Sequence, residues 1–257
     1  MKIERFSMGP MAANCYILLD EASGEAAVID PGACEQPLID YLQSDMIKKV
    51  RYILLTHGHY DHLMGAAQVK ALTGALIYIH GEDAACLTDE HESLADTHLP
   101  GQQAYVAPDG FLEEGMELPL GGLSIHVLHT PGHSRGGVCF VVDGVIFSGD
   151  TLFCHTCGRT DLPGGDYATL MHSLERLARL KGDYQVYPGH NRQTTLAHER
   201  THNRYLRKRK LDQYLHIHGY ILLDCIKAFL DFILFIFIQK GTHQMRGNNS
   251  RQHWRNG

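Results

Sequence analysis

Short apolar runs bounded by glycine, proline and aspartate predict β-strands along most of the chain. They cover residues 14–19, 25–29, 50–55, 75–79, 123–128, 138–142, 145–147 and 185–187. Apolar residues spaced three and four apart predict helices between these runs. The helices are expected near residues 36–46, 61–72, 167–180 and 194–207. The predicted strands therefore form two β-rich halves, each flanked by helices.

This order of elements predicts an α+β fold, because sheets with one apolar face must pack against another layer. The expected architecture is a four-layer αββα sandwich of two mixed β-sheets flanked by helices. Between the two halves, residues 81–107 contain only short helical pieces. An irregular segment of this length is usually functional or mobile. We expect the sandwich to occupy residues 1–209 as the catalytic domain.

The chain beyond residue 209 has a different character, with a nearly continuous apolar run over residues 217–238. The run is long enough to span a bilayer, but it contains Asp224, Lys227 and Asp231, and the insertion cost of these charges offsets its apolar residues. The pattern predicts a C-terminal hydrophobic helical tail within an extension, residues 210–257, that ends in a disordered polar segment. The apolar face of the tail is expected to cover protein, a second copy of the chain or a lipid surface. A poorly structured extension is the alternative.

Composition and charge exclude several classes of protein. A formal net charge of −6, from 29 acidic and 23 basic residues, lacks the basic balance typical of nucleic-acid binding, so no nucleic-acid partner is expected. The seven cysteines are odd in number and irregularly spaced, which does not predict a disulfide framework. The first residues lack the apolar run of a secretory signal. A cytoplasmic location is expected, with peripheral membrane contact through residues 217–238 as a further possibility.

Residues 56–62, with the sequence THGHYDH, carry the strongest chemical motif. They follow a predicted buried strand, so their side chains project from a strand end, where sites in α/β sheets form. His57 and His59 are two residues apart, which directs both imidazoles to one side of an extended segment. Asp61 and His62 lie at the start of a predicted helix and can turn toward a second point. The arrangement suits two metal ions rather than one.

Three further strand ends have the same character, since each combines a glycine with a potential metal ligand. Their sequences TPGHS, SGDT and PGH place His133, Asp150 and His190 directly after predicted strands. Glycine permits the sharp turn that lets such a side chain face a shared point from a rigid strand end. Histidines without this context, such as His198 and His202, are interpreted as surface or packing residues.

Together these residues resemble the metallo-β-lactamase superfamily, with its motifs in the usual order between residues 57 and 190. The resemblance implies two divalent metal ions per chain, most simply zinc, with iron or manganese as alternatives. The implied ligands are His57, His59 and His133 for one ion, Asp61, His62 and His190 for the other, and Asp150 as the bridge. The site contains no cysteine ligand, unlike several true β-lactamases, so antibiotic hydrolysis is not expected.

Two segments after the bridging residue, GDTLF at 149–153 and GRTDLPGGD at 158–166, are similar to the glyoxalase II group and in particular to its short bacterial members. This resemblance implies a small-molecule thioester substrate, such as the hydroxyacylglutathione S-lactoylglutathione. Two metals can share a bridging hydroxide nucleophile while one polarises the carbonyl. Asp61 and Asp150 are then the catalytic carboxylates.

Two residues are predicted to contact the substrate. By the same resemblance, Arg159 lies where a basic residue would bind the glycine carboxylate of glutathione, as a guanidinium can do in a bidentate manner. The alternative is that Arg159 pairs with Asp161 or Asp166 and braces its own loop. Tyr60 lies between the metal ligands and is expected to line the pocket.

Two questions stay open at this point. A related activity, persulfide dioxygenation, uses a similar Gly-Arg-Thr-Asp segment with a single iron, bound by residues matching His57, His133 and Asp150. The number of metal ions separates this alternative from thioester hydrolysis. Cys154 and Cys157 form a C-x-x-C motif beside the site, which is interpreted as a redox pair, a metal clip or a plain loop segment.

Overall fold

The computed structural model describes residues 1–207. The predictions for the hydrophobic tail and the polar end fall on residues 208–257 and lie outside the described part of the chain. Among the helices of residues 1–207, none combines the length and the apolar character needed to cross a bilayer.

The first sheet has six strands in the order in which they occur along the chain. These are β1 (Lys2–Met8), β2 (Ala13–Asp20), β3 (Glu25–Ile29), β4 (Lys49–Leu54), β5 (Leu76–His80) and β6 (Gly110–Leu112). The first three pair antiparallel and the last four pair parallel, so the sheet is mixed. The helices of this half are α1 (Gln36–Leu42), α2 (Tyr60–Leu63), α3 (Ala66–Thr73) and α4 (Ala95–His98), with a 3₁₀ helix at Gly81–Leu87.

The second sheet also has six strands, and two short strands form a separate hairpin beside it. The strands of the sheet are β7 (Glu117–Leu120), β8 (Leu123–His129), β9 (Val138–Val142), β10 (Val145–Gly149), β13 (Gln185–Pro188) and β14 (Thr194–Thr195). The hairpin strands are β11 (Leu152–Phe153) and β12 (Thr156–Cys157), which lie between β10 and β13 in the sequence. Strand β10 pairs parallel with β13, whereas the other pairs in this sheet are antiparallel. Helices α5 (Tyr167–Ala178) and α6 (Leu196–His202) follow the hairpin and β14.

Three apolar clusters show that the layers are arranged as an αββα sandwich. Alternate side chains of β2 point to opposite faces: Ile17 packs with Leu38 of α1 and Val69 of α3, while Tyr16 contacts Phe147 of the second sheet at a ring-centroid distance of 5.3 Å. A third cluster covers the outer face of the second sheet with residues of α5 and α6. The predicted α+β fold of two mixed sheets between helices is confirmed.

The prediction of one continuous helix over residues 61–72 is wrong, because α2 ends at Leu63 and α3 begins at Ala66. The loop that follows β3 passes directly against the break. The Gly65 N–H donates to the Pro31 carbonyl at 2.7 Å, and a Cβ on Gly65 would lie 2.5 Å from the backbone of Ala33. The close approach of a distant loop therefore divides a segment whose own spacing is helical.

The helix expected over residues 194–207 is also shorter than predicted. Thr194 and Thr195 pair with β13 as a two-residue strand, and the Thr195 hydroxyl accepts a hydrogen bond from the His198 N–H and caps α6. Asn203 ends α6 in an extended conformation, with φ −76° and ψ 120°. Its amide donates to the carbonyl of Thr156 at 2.9 Å, so the helix end is tied to the β11–β12 hairpin.

Candidate metal centre

The seven side chains expected to bind metal follow strands of both sheets. The segment 56–62 follows β4 of the first sheet. In the second sheet, β8, β10 and β13 run in the same direction and precede His133, Asp150 and His190. Because these strand ends lie at one edge of the sandwich, the structure brings all seven residues together there.

The first group consists of His57, His59 and His133, all of them buried. Their ring nitrogens lie within 4.8 Å of one another, and the His59 Nδ1 is 2.9 Å from the His133 Nε2. The three rings are in edge-to-face contact in every pair, with centroids 4.6 to 4.8 Å apart. Three converging imidazoles are a set of donors that can hold a transition-metal ion.

The second group consists of Asp61, His62 and His190. The Asp61 Oδ2 lies 3.2 Å from the His190 Nε2 and 3.6 Å from the His62 Nε2. The two imidazole nitrogens are 3.3 Å apart. A carboxylate and two imidazoles in this arrangement can hold a second divalent ion.

Asp150 lies between the two groups. Its Oδ2 is 3.4 Å from the His133 Nε2 of the first group and 3.7 Å from the His190 Nε2 of the second. Its Oδ1 is 3.5 Å from the His62 Nε2. A Cβ on Gly189 would lie 2.3 Å from this oxygen, so only glycine lets the His190 loop come this close to the carboxylate.

Two buried atoms support a metal centre at this place. The His57 Nε2 and the Asp150 Oδ1 have no hydrogen-bond partner within residues 1–207. A buried polar atom left without a partner costs about 1–3 kcal/mol. Divalent cations would give both atoms a partner and would balance the two carboxylates, so the residues present fit such ions.

Asp30 fixes the orientation of the second group and was not predicted as a functional residue. Its buried carboxylate accepts hydrogen bonds from the Thr56 N–H at 2.7 Å and the Thr56 hydroxyl at 2.6 Å. The His62 Nδ1 donates to it at 3.1 Å, which leaves the Nε2 lone pair facing Asp61 and Asp150. A carboxylate behind a ligating histidine sets its tautomer and raises its basicity.

Asp83, in the 3₁₀ helix, joins the two loops that carry the first group. The residue is 4% exposed, and its carboxylate accepts hydrogen bonds from the Gly58 N–H at 3.0 Å, the Gly136 N–H at 2.7 Å and the Ser134 hydroxyl at 2.6 Å. It therefore connects the His57–His59 segment to the residues after His133. The long segment 81–107 thus contributes to the site by positioning ligands.

The charge environment differs between the two groups. Burial and the neighbouring imidazoles lower the pKa of His57, and they lower that of His59 to about 3. Burial alone would lower the pKa of His62, but Asp61, Asp150 and Asp30 outweigh it and raise the value to about 10. Burial alone would raise the pKa of Asp61, yet His62 and His190 hold it below its usual range. The surroundings of His57 and His59 therefore favour the neutral imidazole that binds metal, whereas the carboxylates around His62 favour positive charge, which a bound cation would supply.

The two residues predicted to contact substrate lie near the ligands but have partners of their own. The Arg159 guanidinium makes two hydrogen bonds to Asp161, at 2.7 and 2.8 Å, and its side chain is 63% exposed. Its carbonyl accepts a hydrogen bond from the His133 Nδ1 at 2.8 Å. Tyr60 is buried, and its ring stacks on His98 at a centroid distance of 4.9 Å.

A cavity of about 250 Å³ opens beside the first group. Its lining includes His59, Glu82, Cys86, His91, Arg135 and Gly164. Most of these residues come from the segment 81–107 and from the loop after His133. The cavity gives a small molecule access to the edge of the site at His59.

The fold and the clustered histidine and aspartate side chains define an αββα protein with a candidate site for divalent metal ions. The chain belongs to the metallo-β-lactamase superfamily, whose family profile matches residues 8–190. The hydroxyacylglutathione hydrolase GloC of Haemophilus influenzae is 35% identical over 210 residues, which are 80% of this chain and 98% of that protein.

Solved structures of the same fold are also similar. The B3 metallo-β-lactamase BLEG-1 has a TM-score of 0.74 and 32% identity, over 80% of this chain and 99% of its own. TTHA1623 in a di-iron-bound form has a TM-score of 0.66 and 34% identity, over 79% and 100%. ETHE1 from Myxococcus xanthus has a TM-score of 0.66 and 27% identity, over 79% and 84%.

Proposed function

We propose that this protein hydrolyses a thioester at a centre of two divalent metal ions, and that its substrate is a hydroxyacylglutathione such as S-lactoylglutathione. One observation carries the proposal: the Asp150 carboxylate faces histidines of both groups, at 3.4 Å from His133 and 3.5 Å from His62. A carboxylate in that position is suited to bridge two ions. The similarity to a protein named hydroxyacylglutathione hydrolase supports the choice of substrate.

Paired metal ions would supply a nucleophilic oxygen from water at neutral pH and would polarise the carbonyl of the substrate. His57, His59 and His133 would hold one ion, and Asp61, His62 and His190 the other, with Asp150 between them. The Asp150 carboxylate, whose Oδ1 has no hydrogen-bond partner within residues 1–207, would balance the charge of the ions and help to hold them. Asp61, whose pKa is held low, stays ionised opposite His190. The seven residues include no serine or cysteine nucleophile.

The identity of the ions is proposed from the donor set. Imidazole and carboxylate ligands suit zinc, and they also suit iron and manganese. We propose zinc as the resident metal, with iron or manganese as alternatives. The di-iron form of TTHA1623 is a reason to test iron directly.

The alternative is a persulfide dioxygenase-like enzyme with one iron held by His57, His133 and Asp150. The Gly-Arg-Thr-Asp segment at residues 158–161 keeps this reaction as the second candidate. It gives no role to the second group, although His62 is fully buried and is oriented by Asp30 for ligation. Hydrolysis by two ions uses every ligand at the edge of the sandwich.

A substrate panel tests the proposed reaction. Purified protein should release free thiol from S-lactoylglutathione, and it should do so faster than it opens the β-lactam nitrocefin or consumes oxygen with glutathione persulfide. The panel includes a β-lactam because the B3 metallo-β-lactamase BLEG-1 has a similar fold. If the glutathione thioesters are inert and one of the other two substrates turns over, the proposed reaction is wrong.

Arg159 is proposed to bind the substrate carboxylate by exchanging its present partner, Asp161, and Tyr60 to support the pocket wall. Arg159→Ala is expected to raise the KM for S-lactoylglutathione by about tenfold and to change kcat less, because contacts remote from the reacting carbonyl contribute mainly uniform binding. Steady-state kinetics over a range of substrate concentrations measure both constants.

The matched control is Arg179→Ala, which removes another exposed arginine with a carboxylate partner, Glu175, on α5. Its kinetics should equal those of the parent chain. Unchanged kinetics in both variants would assign Arg159 to bracing its own loop, which was the other interpretation of the sequence.

The cytoplasmic location stays a proposal. So does self-association or peripheral membrane contact through residues 217–238, which rests on the amino-acid sequence and concerns residues beyond those described.

A further inference from the structure

A second group of cysteine and histidine side chains lies where the turn of the β11–β12 hairpin meets α6. It consists of Cys154, His155, His198 and His202, which we name the surface cluster. None of its members belongs to the seven residues of the metal centre, and the proposed hydrolysis uses none of them. The C-x-x-C motif of the hairpin contributes Cys154.

A buried network fixes the position of the hairpin turn. His155 has a left-handed backbone with φ 67°, a conformation that is uncommon outside glycine. Its N–H donates to the Glu199 Oε2 at 2.8 Å. Glu199 is itself fully buried and also accepts hydrogen bonds from the Thr194 hydroxyl at 2.6 Å and the Asn203 amide at 2.9 Å. The hydrogen bonds of the Glu199 carboxylate therefore fix the turn against α6.

The side chains of the surface cluster meet around His155, which lies next to both Cys154 and His198. Ligand atoms of Cys154, His155 and Glu199 lie within 4.8 Å of one another. The His155 Nε2 is 2.6 Å from the His198 Nε2. His198 and His202 are four residues apart on α6 and stack with ring centroids 4.2 Å apart, and two histidines at this spacing on one helix face are a recurring metal-binding pair.

The remaining contacts leave these donors available. The His202 Nδ1 donates to the His198 carbonyl at 3.0 Å, so its Nε2 is the acceptor nitrogen. The Cys154 sulfur accepts a hydrogen bond from the Arg192 Nε at 3.3 Å, and hydrogen bonds to sulfur are common around ligating thiolates. Cys154 and His198 are half-buried and His155 and His202 are exposed, so an ion can reach them from solvent.

We propose that the surface cluster binds one further transition-metal ion of the zinc class. The Cys154 sulfur and the imidazoles of His155 and His198 are its ligands, and His202 stacks on the His198 ring and supports it. The cysteine ligates as a thiolate, so binding releases its proton to solvent. With Zn–N bonds of about 2.0–2.1 Å, two tetrahedral imidazole nitrogens lie about 3.3 Å apart, so the two facing rings must separate by less than about 1 Å. The bound ion would join the hairpin to α6.

Cobalt absorption tests the site independently of hydrolysis. The seven residues of the metal centre contain no sulfur, so a thiolate-to-cobalt charge-transfer band in the near ultraviolet reports a cysteine ligand. Full-length protein titrated with Co²⁺ is expected to develop this band. Cys154→Ser should abolish it, whereas Cys157→Ser and Cys86→Ser should retain it.

Zinc titration of the same variants measures affinity. Full-length protein should bind one more Zn²⁺ than Cys154→Ser, and His198→Ala should weaken that additional ion at least about tenfold. Circular dichroism establishes that each variant is folded. A cobalt band that persists in Cys154→Ser, its absence from the parent chain, or equal zinc stoichiometry in the parent and Cys154→Ser would overturn the proposal. These readouts do not depend on whether the protein cleaves thioesters.

Discussion

Asp150→Asn is expected to lower kcat/KM for S-lactoylglutathione by about 100-fold or more while leaving the fold intact. A neutral amide cannot balance the charge of two cations and is a poor bridge between them. It would also place an N–H or a weaker acceptor where the Asp150 Oδ1 is now buried without a partner. Hydrolysis kinetics, with metal content measured on the same sample, give the result.

Asp143→Asn provides the matched control for this change. Asp143 is exposed in the turn between β9 and β10 and has φ 43°, a conformation that asparagine also accepts. It should retain parental activity. Parental activity in Asp150→Asn with two ions bound would show that the assignment of the bridge is wrong.

Removing the metal is expected to have an equally large effect. Dialysis against a chelator should reduce thioester hydrolysis by about 100-fold or more, because the site then loses both its nucleophile and its electrophile. Adding back zinc, iron or manganese to the chelated protein in separate samples should restore activity and rank the three metals. Hydrolysis that persists in a protein shown by elemental analysis to be metal-free would contradict a metal-dependent reaction.

The grouping of the seven side chains was largely predictable because each of the four segments that carry them follows a strand. A glycine beside a histidine or aspartate at the end of an apolar run is a local signal, and it placed His133, Asp150 and His190 without knowledge of the fold. The same rule could have selected Asp30, which follows β3 in the segment Asp-Pro-Gly. It was interpreted only as part of the Asp-Pro-Gly boundary that ends the predicted strand at residues 25–29.

Features that depend on distant partners were not predictable in this way. Asp83 acts on Gly58 and Ser134, which lie 25 and 51 residues away in the sequence, and nothing local distinguishes it from a surface carboxylate. The break at Gly65 depends on the loop after β3. His198 and His202 were interpreted as surface or packing residues, and only the folded hairpin brings His155 beside them.

The partner of Arg159 was likewise not predictable from the local sequence. Both interpretations of Arg159 place its guanidinium beside a carboxylate. In one interpretation the carboxylate belongs to the substrate, and in the other it belongs to the chain. The folded loop pairs Arg159 with Asp161, but a carboxylate on a bound substrate presents the same chemistry. The sequence could therefore indicate the group that binds a carboxylate without indicating which carboxylate it binds.

The most direct test of the binuclear centre is elemental analysis of the full-length Cys154→Ser protein, in which the surface cluster lacks its thiolate. The protein is freed of loosely bound metal and assayed in parallel with S-lactoylglutathione. Two ions per chain together with thioester hydrolysis are the predicted result. A single iron per chain that does not increase on addition of zinc or manganese, with oxygen uptake in the presence of glutathione persulfide, would contradict the account.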